Sequence, residues 1–311
     1  MSWIEPRVDL APAGQILWKF LAQPRIVRLP GAFNGMTALK ACRTSFSALY
    51  FSGASVSAAM GFPDFGILTK QEIMSHLEQI VRASGLPVVV DGDTGYGGVL
   101  NVVDVVPSFE QAAAAAVHLE GLSLPENRGH LNDKNLLEPA EMAAKVATAV
   151  GARLDMVVIA RTDAAASEGL PGAVARARLY VEAHADAMFP EALTSREMFA
   201  EFARQIDVPL LANMTEFGRT LSISAAEFEQ LGFRMVIWPI SALRITAEAQ
   251  ERLYAHLIVH DRLDALLSEM QIRDELYELI AYFDHEILDA NMSKTMLTDV
   301  MRGRTAAEKA N

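Results

Sequence analysis

The chain has 311 residues, 51% of them hydrophobic and 21% charged, with a formal net charge of −12, so it lacks the basic surface that a nucleic-acid backbone requires. No charge-free stretch of membrane-spanning length occurs, and the opening MSWIEPRVDLAPAG does not read as a signal peptide. A lone cysteine, Cys42, excludes an intrachain disulfide framework and suits a reducing cytoplasm.

Residues 1–20 read as a helix outside the main fold. From about residue 26 to 240, short apolar or β-branched runs alternate with longer helical windows. The expected strands are Arg25–Leu29, Ala48–Ser52, Pro87–Asp91, Ala116–Leu119, Met156–Arg161, Ala187–Phe189, Pro209–Ala212 and Arg234–Trp238. Most are continuously apolar, as expected for a parallel sheet covered by helices. The helical windows between them include Lys70–Ala83, Phe109–Ala115, Pro139–Val150, Leu170–Ala183, Ser195–Gln205 and Ala225–Leu231. Thr69 and Thr194-Ser195, each ahead of acidic residues, are N-cap signatures. Val99–Val106 is apolar enough for a strand but reads as the start of the helix feeding Phe109–Ala115, and the alanine run Ala112–Ala116 suits close helix packing. Cys42 falls in a predicted helix before the second strand and reads as a packing residue.

Beyond residue 245 the chain reads as helical, with a polar break near His260–Leu263 and an amphipathic stretch, Leu266–Ile287. Such a tail covers its own barrel or packs on a neighbouring subunit. Eight strand–helix units predict an α/β fold, a (β/α)₈ TIM-type barrel in one domain over 1–311, with the barrel at about 25–245 and the tail at about 246–311. A doubly wound sheet would carry G-x-G-x-x-G after its first strand, and PGAFNGM lacks that spacing.

The chemistry of such a barrel belongs at the C-terminal ends of its strands. Those ends read Ser52-Gly53-Ala54-Ser55 with Asp64 further on, Asp91-Gly92-Asp93-Thr94-Gly95, His118-Leu119-Glu120, Arg161-Thr162-Asp163, Pro190-Glu191 and Asn213-Met214-Thr215. Asp91 and Asp93, two apart at a strand exit, can point the same way. With Glu120 and Asp64 they form an oxygen-only set whose mutual repulsion a hard divalent cation resolves, Mg²⁺ best and Mn²⁺ next. The other reading of D-x-D is a turn closed by an Asx bond. Arg161 carries a planar fork suited to a substrate carboxylate, or else pairs structurally with Asp163 or Glu191. Asn213 and Thr215 can donate to a second carboxylate, and Ser52 with the backbone amides of Gly53 and Ala54 to the first. His118 reads as a core histidine without a catalytic role.

The segments ALYFSGASVSAAMGFPDFGI, PVVVDGDTGYG, VIARTDA…EGL, YVEAHADAMFPEA, VPLLANMTEFG and MQIRDELYELIAYF resemble the isocitrate lyase/phosphoenolpyruvate mutase superfamily, most closely its methylisocitrate lyases, over roughly residues 25–290. The resemblance implies dimers or tetramers that exchange a C-terminal helix, and a Mg²⁺ site facing the oxo-acid end of the substrate. By position, Asp91 would be the main metal-side carboxylate, with Asp64, Asp93 and Glu120 acting through the metal's waters. Tyr50, Ser52, Gly53, Arg161, Glu191, Asn213 and Thr215 would line the pocket.

The family's loop after the fourth strand reads Glu-Asp-Gln…Lys-Lys/Arg-Cys-Gly-His. Here the aligned stretch runs from Glu120-Gly121 to Glu126-Asn127-Arg128-Gly129-His130, so Arg128 stands at the cysteine and Glu126 at the lysine. The cysteine protonates the departing carbanion in the lyases, and an arginine cannot give up a proton near neutral pH. Arg128 and His130 are the candidates to serve as cation and acid in its place. The expected activity is a metal-dependent carbon–carbon lyase acting on a small 2-hydroxy or 2-oxo di- or tricarboxylate. The alternatives are an oxaloacetate-type decarboxylase, a phosphoenolpyruvate mutase-like enzyme and a catalytically silent oxo-acid binder.

Overall fold

The computed structural model describes residues 11–122, 135–218 and 220–291. The chain divides into two compact units, Leu10–Gln250 and a smaller one that includes residues 251–291.

In the larger unit eight parallel strands are β1 (Val27–Ala32), β2 (Leu49–Phe51), β3 (Val88–Asp91), β4 (Ala116–Glu120), β5 (Val157–Thr162), β6 (Ala187–Pro190), β7 (Leu211–Asn213) and β8 (Met235–Trp238). Their order is β6-β5-β4-β3-β2-β1-β8-β7, and a parallel bridge between Met188 and Leu210 joins the two ends. This is the (β/α)₈ barrel. The intervening helices are α1 (Ala13–Leu21), α2 (Gly35–Arg43), α3 (Gly53–Ala59), α4 (Lys70–Ser84), α5 (Val99–Gln111), α6 (Pro139–Ala152), α7 (Gly169–Glu182), α8 (Arg196–Gln205) and α9 (Ala225–Gln230), and α10 (Ser241–His260) follows β8.

Two cores result from the two-residue alternation of the strands. Leu49, Phe51, Val88, Val90, Val117, Val158, Met188 and Val236 face outward into the layer between sheet and helices. Val27, Leu29, Tyr50, Val89, Ala116, Val157, Ile159, Phe189, Leu211, Met235 and Ile237 face into the barrel. Helix α1 was expected outside the fold, but its Leu17 (0% exposed) and Leu21 join this inner set and plug the N-terminal mouth. The close approach is possible because residue 14 is glycine: a Cβ there would lie 2.0 Å from the Asp155 carbonyl oxygen.

Several boundaries differ from the sequence reading. Strand β1 runs on through Pro30-Gly31, which look like a turn, because Pro30 and Gly31 still pair with Trp238 and Tyr50. Helix α5 is one helix from Val99 through Pro107 to Gln111. The alanines after it are not helical: Ala113 takes φ 61°, and the chain turns within a few residues into β4. Helix α3, whose GASVSAA lacks an amphipathic period, is not among the helical windows expected from the sequence. Of the N-cap pair, Ser195 makes the cap, and Thr69 forms a full capping box with Glu72. Cys42 packs between α2 and α4, its thiol 3.6 Å from the Ser84 carbonyl, and burial raises its pKa.

The smaller unit continues α10 past residue 250 and adds a 3-10 turn, Asp264–Glu269, then α11 (Arg273–Leu279) and a helical run over 282–291. The amphipathic stretch is thus broken, at Met270–Ile272 and at Ala281 with φ 54°. Among the described residues no helix is long and apolar enough to cross a membrane.

Candidate active site

Continuing the inward parity of each strand past its apolar part puts Asp91, His118, Glu120, Arg161, Phe189 and Asn213 inside the rim of the barrel. The ladder register then makes neighbours of specific pairs: Asp91 with His118, Glu120 with Arg161, and Arg161 with Phe189.

Asp91 is held on several sides. Its Oδ1 lies 2.9 Å from His118 Nε2 and accepts from the Asp93 amide at 3.3 Å, while Oδ2 accepts from the Gly53 amide at 3.2 Å. His118, 0% exposed, was read as a core residue, yet its Nε2 is shared between Asp91 and the Tyr50 hydroxyl at 2.6 Å. Its Nδ1 has no hydrogen-bond partner among the described residues, and its ring meets Phe189 edge-on. The available signal was parity, because His118 lies two residues before Glu120 on one strand. Burial and then the negative charge of Asp91 push the Tyr50 phenol well above its usual pKa, so it stays protonated.

Arg161 forms a second node. Its Nε and Nη2 donate to Asp163 at 3.0 and 2.8 Å, its Nη1 lies 3.0 Å from Glu120 Oε2, and its guanidinium sits 5.2 Å from the Phe189 ring centroid. Burial alone would lower its pKa, but Asp163, Glu120 and Glu191 hold it well above the ordinary value. The structural pair with Asp163 is therefore present, and it spends one edge of the fork, leaving other N–H groups for a ligand. Across the barrel, Asn213 Nδ2 donates to Glu191 at 3.2 Å and Thr215 Oγ1 donates to Asn213 Oδ1 at 2.7 Å.

The end of β2 supplies a helix N-terminus. Ser52 caps α3, its hydroxyl oxygen accepting from the Ser55 amide, and Gly53 opens the helix beside the carboxylates. A Cβ at Gly53 would come within 3.3 Å of Asp93 Oδ1 and 3.4 Å of Asp91 Oδ2. The Ala54 amide is one of the first-turn groups that a helix leaves without an intrahelical partner.

The structure thus gathers Asp91, Asp93 and Gly53 at one place and Glu120 with Arg161 beside it, while Asp64 stays half-buried on the segment between α3 and α4. Among the described residues no three His, Cys, Asp or Glu side chains converge as a metal ligand set. Few direct carboxylates on an all-oxygen site, with a glycine backbone in place of a side chain above them, fit a hard cation that keeps several waters. Glu126, Arg128 and His130 lie outside the described residues.

The model of the phosphoenolpyruvate phosphomutase family matches residues 17–258. The chain belongs to the phosphoenolpyruvate mutase/isocitrate lyase superfamily. It is 47% identical to 2-methylisocitrate lyase of Bacillus subtilis (strain 168), covering 96% of this chain and 100% of that one. A crystal structure of 2,3-dimethylmalate lyase matches with a TM-score of 0.85 at 33% identity, over 91% of this chain and 96% of the other. A phosphonopyruvate hydrolase crystallised with oxalate and Mg²⁺ matches with a TM-score of 0.82 at 27% identity, over 90% and 99% of the two chains.

Proposed function

We propose that this chain is a carbon–carbon lyase of the methylisocitrate lyase type, cleaving a small 2-hydroxy or 2-oxo di- or tricarboxylate to pyruvate or a close analogue. The observation that carries this reading is the full-length, 47% identity to a 2-methylisocitrate lyase. The inward Asp91–His118–Tyr50 and Glu120–Arg161–Asp163 nodes support it. Asp91, with Asp93, Glu120 and Asp64 acting through water, would hold Mg²⁺ or Mn²⁺, which supplies positive charge beside the oxo-acid oxygen. Arg161 binds a carboxylate of the substrate with the part of its fork that Asp163 and Glu120 leave open. Ser52 and the Ala54 amide at the start of α3, with the Gly53 amide holding Asp91 beside them, take the same end of the molecule, and Asn213, Thr215 and Glu191 orient the other. Tyr50, protonated, lines the floor of the site beside His118. Arg128, at the position of the family's loop cysteine, and His130, in the Gly-His pair that the loop retains, complete the reading as cation and acid. A cytoplasmic homodimer or homotetramer, acting on a small carboxylic acid, belongs to the same proposal.

The arginine at the cysteine position favours one second reading, an oxaloacetate-type decarboxylase. Loss of CO₂ leaves only an enolate to be stabilised, which oriented donors facing the oxo-acid oxygen achieve.

Incubation of the purified protein and Mg²⁺ with 2-methylisocitrate, isocitrate and oxaloacetate, followed by NMR, tests both. Pyruvate and succinate from 2-methylisocitrate are expected. Pyruvate from oxaloacetate alone, above the metal-only background, selects the decarboxylase, and no turnover of any of them overturns both.

A further inference from the structure

Helix α7 carries a buried arginine that the proposed chemistry does not use. Arg176 is 9% exposed, and its Nε and Nη2 grip the Glu168 carboxylate at 2.9 and 2.6 Å. Its Nη1 donates to the Leu137 carbonyl at 2.7 Å. Leu137 in turn donates its amide to the Gly121 carbonyl at 2.9 Å, and Leu136 bridges Leu122 in antiparallel pairing. Gly121 is the residue after Glu120. A Cβ at Gly121 would meet Met142 Cγ at 3.3 Å and the Tyr180 hydroxyl at 3.5 Å, so the strand exit is also pressed from the helix side. Glu120, 1% exposed, emerges from this arrangement with its amide on the Asp93 carbonyl at 2.9 Å and its carboxylate on Arg161.

We propose that Arg176 is a positioning residue: through Leu137 and Gly121 it fixes the exit of β4, and so the direction in which Glu120 presents its carboxylate to the metal side of the site. This rests on the reading of Glu120 as a metal-side group given above. Groups that orient the ligands of a metal from behind are worth about 10–100-fold in its affinity.

The other end of the barrel supplies a matched control. Arg153 likewise pairs with a carboxylate, Asp186, and donates to a backbone carbonyl, that of Met156 at 2.7 Å, but at the N-terminal ends of β5 and β6. The experiment measures Mn²⁺ binding by EPR, with thermal melting, for the wild type, Arg176→Met, Glu168→Ala and Arg153→Met. Arg176→Met is expected to weaken Mn²⁺ about tenfold or more. Glu168→Ala, which loosens the guanidinium without deleting it, should weaken it less. Arg153→Met should lower the melting temperature and leave Mn²⁺ affinity at the wild-type value. Wild-type affinity in whichever of the Arg176 and Glu168 variants folds overturns the inference, as does an equal loss in Arg153→Met. Failure of the wild type itself to bind Mn²⁺ overturns instead the metal reading on which the inference rests.

Discussion

Asp91 and His118 are register partners across β3 and β4, and their side chains meet at 2.9 Å with no solvent on the imidazole. The contact gives a buried carboxylate a partner from below, while its other oxygen faces Gly53 at the rim. His118→Gln, which keeps polarity but cannot place a ring nitrogen between Tyr50 and Asp91, is expected to weaken Mn²⁺ binding about 10–100-fold. Titration of Mn²⁺ by EPR checks it, and unchanged affinity would make His118 a packing residue after all.

Arg161 stands between two carboxylates whose side chains are each 1% exposed, Glu120 and Asp163. Arg161→Met leaves both without their cation, and breaking a buried pair from one side costs about 3–5 kcal/mol. Arg161→Lys keeps the charge but cannot span both partners, so a smaller stability loss should accompany a fall of about 100-fold in kcat/KM from misplacement. Chemical denaturation and steady-state kinetics separate these outcomes. Equal stability of the Met variant and the wild type contradicts the first.

How far the sequence discloses this site depends on which physical rule reports on each residue. Asp91, Glu120, Arg161 and Asn213 are legible because a parallel barrel puts its polar groups at the strand ends, where an apolar run stops abruptly. His118 was not, because it sits one step inside the run among apolar neighbours, where a histidine reads as core until strand parity is applied. Arg176 was opaque for another reason: its partners, Leu137 and Glu168, are chosen by loop and helix paths that no periodicity encodes, whereas the Arg161–Asp163 pair was one of the two structural pairings the sequence offered. In the fold, amphipathic helices with Thr69 or Ser195 caps were clear, whereas the small-residue helix α3 and the Pro-Gly continuation of β1 ran against local propensity and were decided by tertiary pairing.

Oxalate mimics the enolate of pyruvate, so it should bind only where the metal and the Ser52–Gly53 end of the site cooperate. At 100 times its Kd in the presence of Mg²⁺, oxalate should add about 2.7 kcal/mol of stability. Asp91→Asn should abolish that increment while leaving the melting temperature in EDTA close to the wild-type value or above it, since one charge of a crowded set is removed. Differential scanning calorimetry with and without each component provides the check. Stabilisation of Asp91→Asn equal to that of the wild type would exclude Asp91 as a metal ligand.

Glu227, at the start of α9, accepts hydrogen bonds from the Ser224 amide and hydroxyl in a capping box and pairs with Arg196 at 2.7 Å. The Ser224 bonds first, then Arg196, lower its pKa to about 2. A carboxyl held below its unfolded value of about 4.3 contributes stability that is complete above that pH. The contribution declines as the pH falls and is lost on passing through the folded pKa of about 2. Glu227→Gln keeps a side chain able to cap but removes the charge, so the melting-temperature gap to the wild type should be open at neutral pH and narrow steadily in acid. Carbon-detected NMR of the labelled side chain should give a midpoint near 2, and a midpoint near the unfolded value would show that neither the cap nor Arg196 engages the carboxylate in solution.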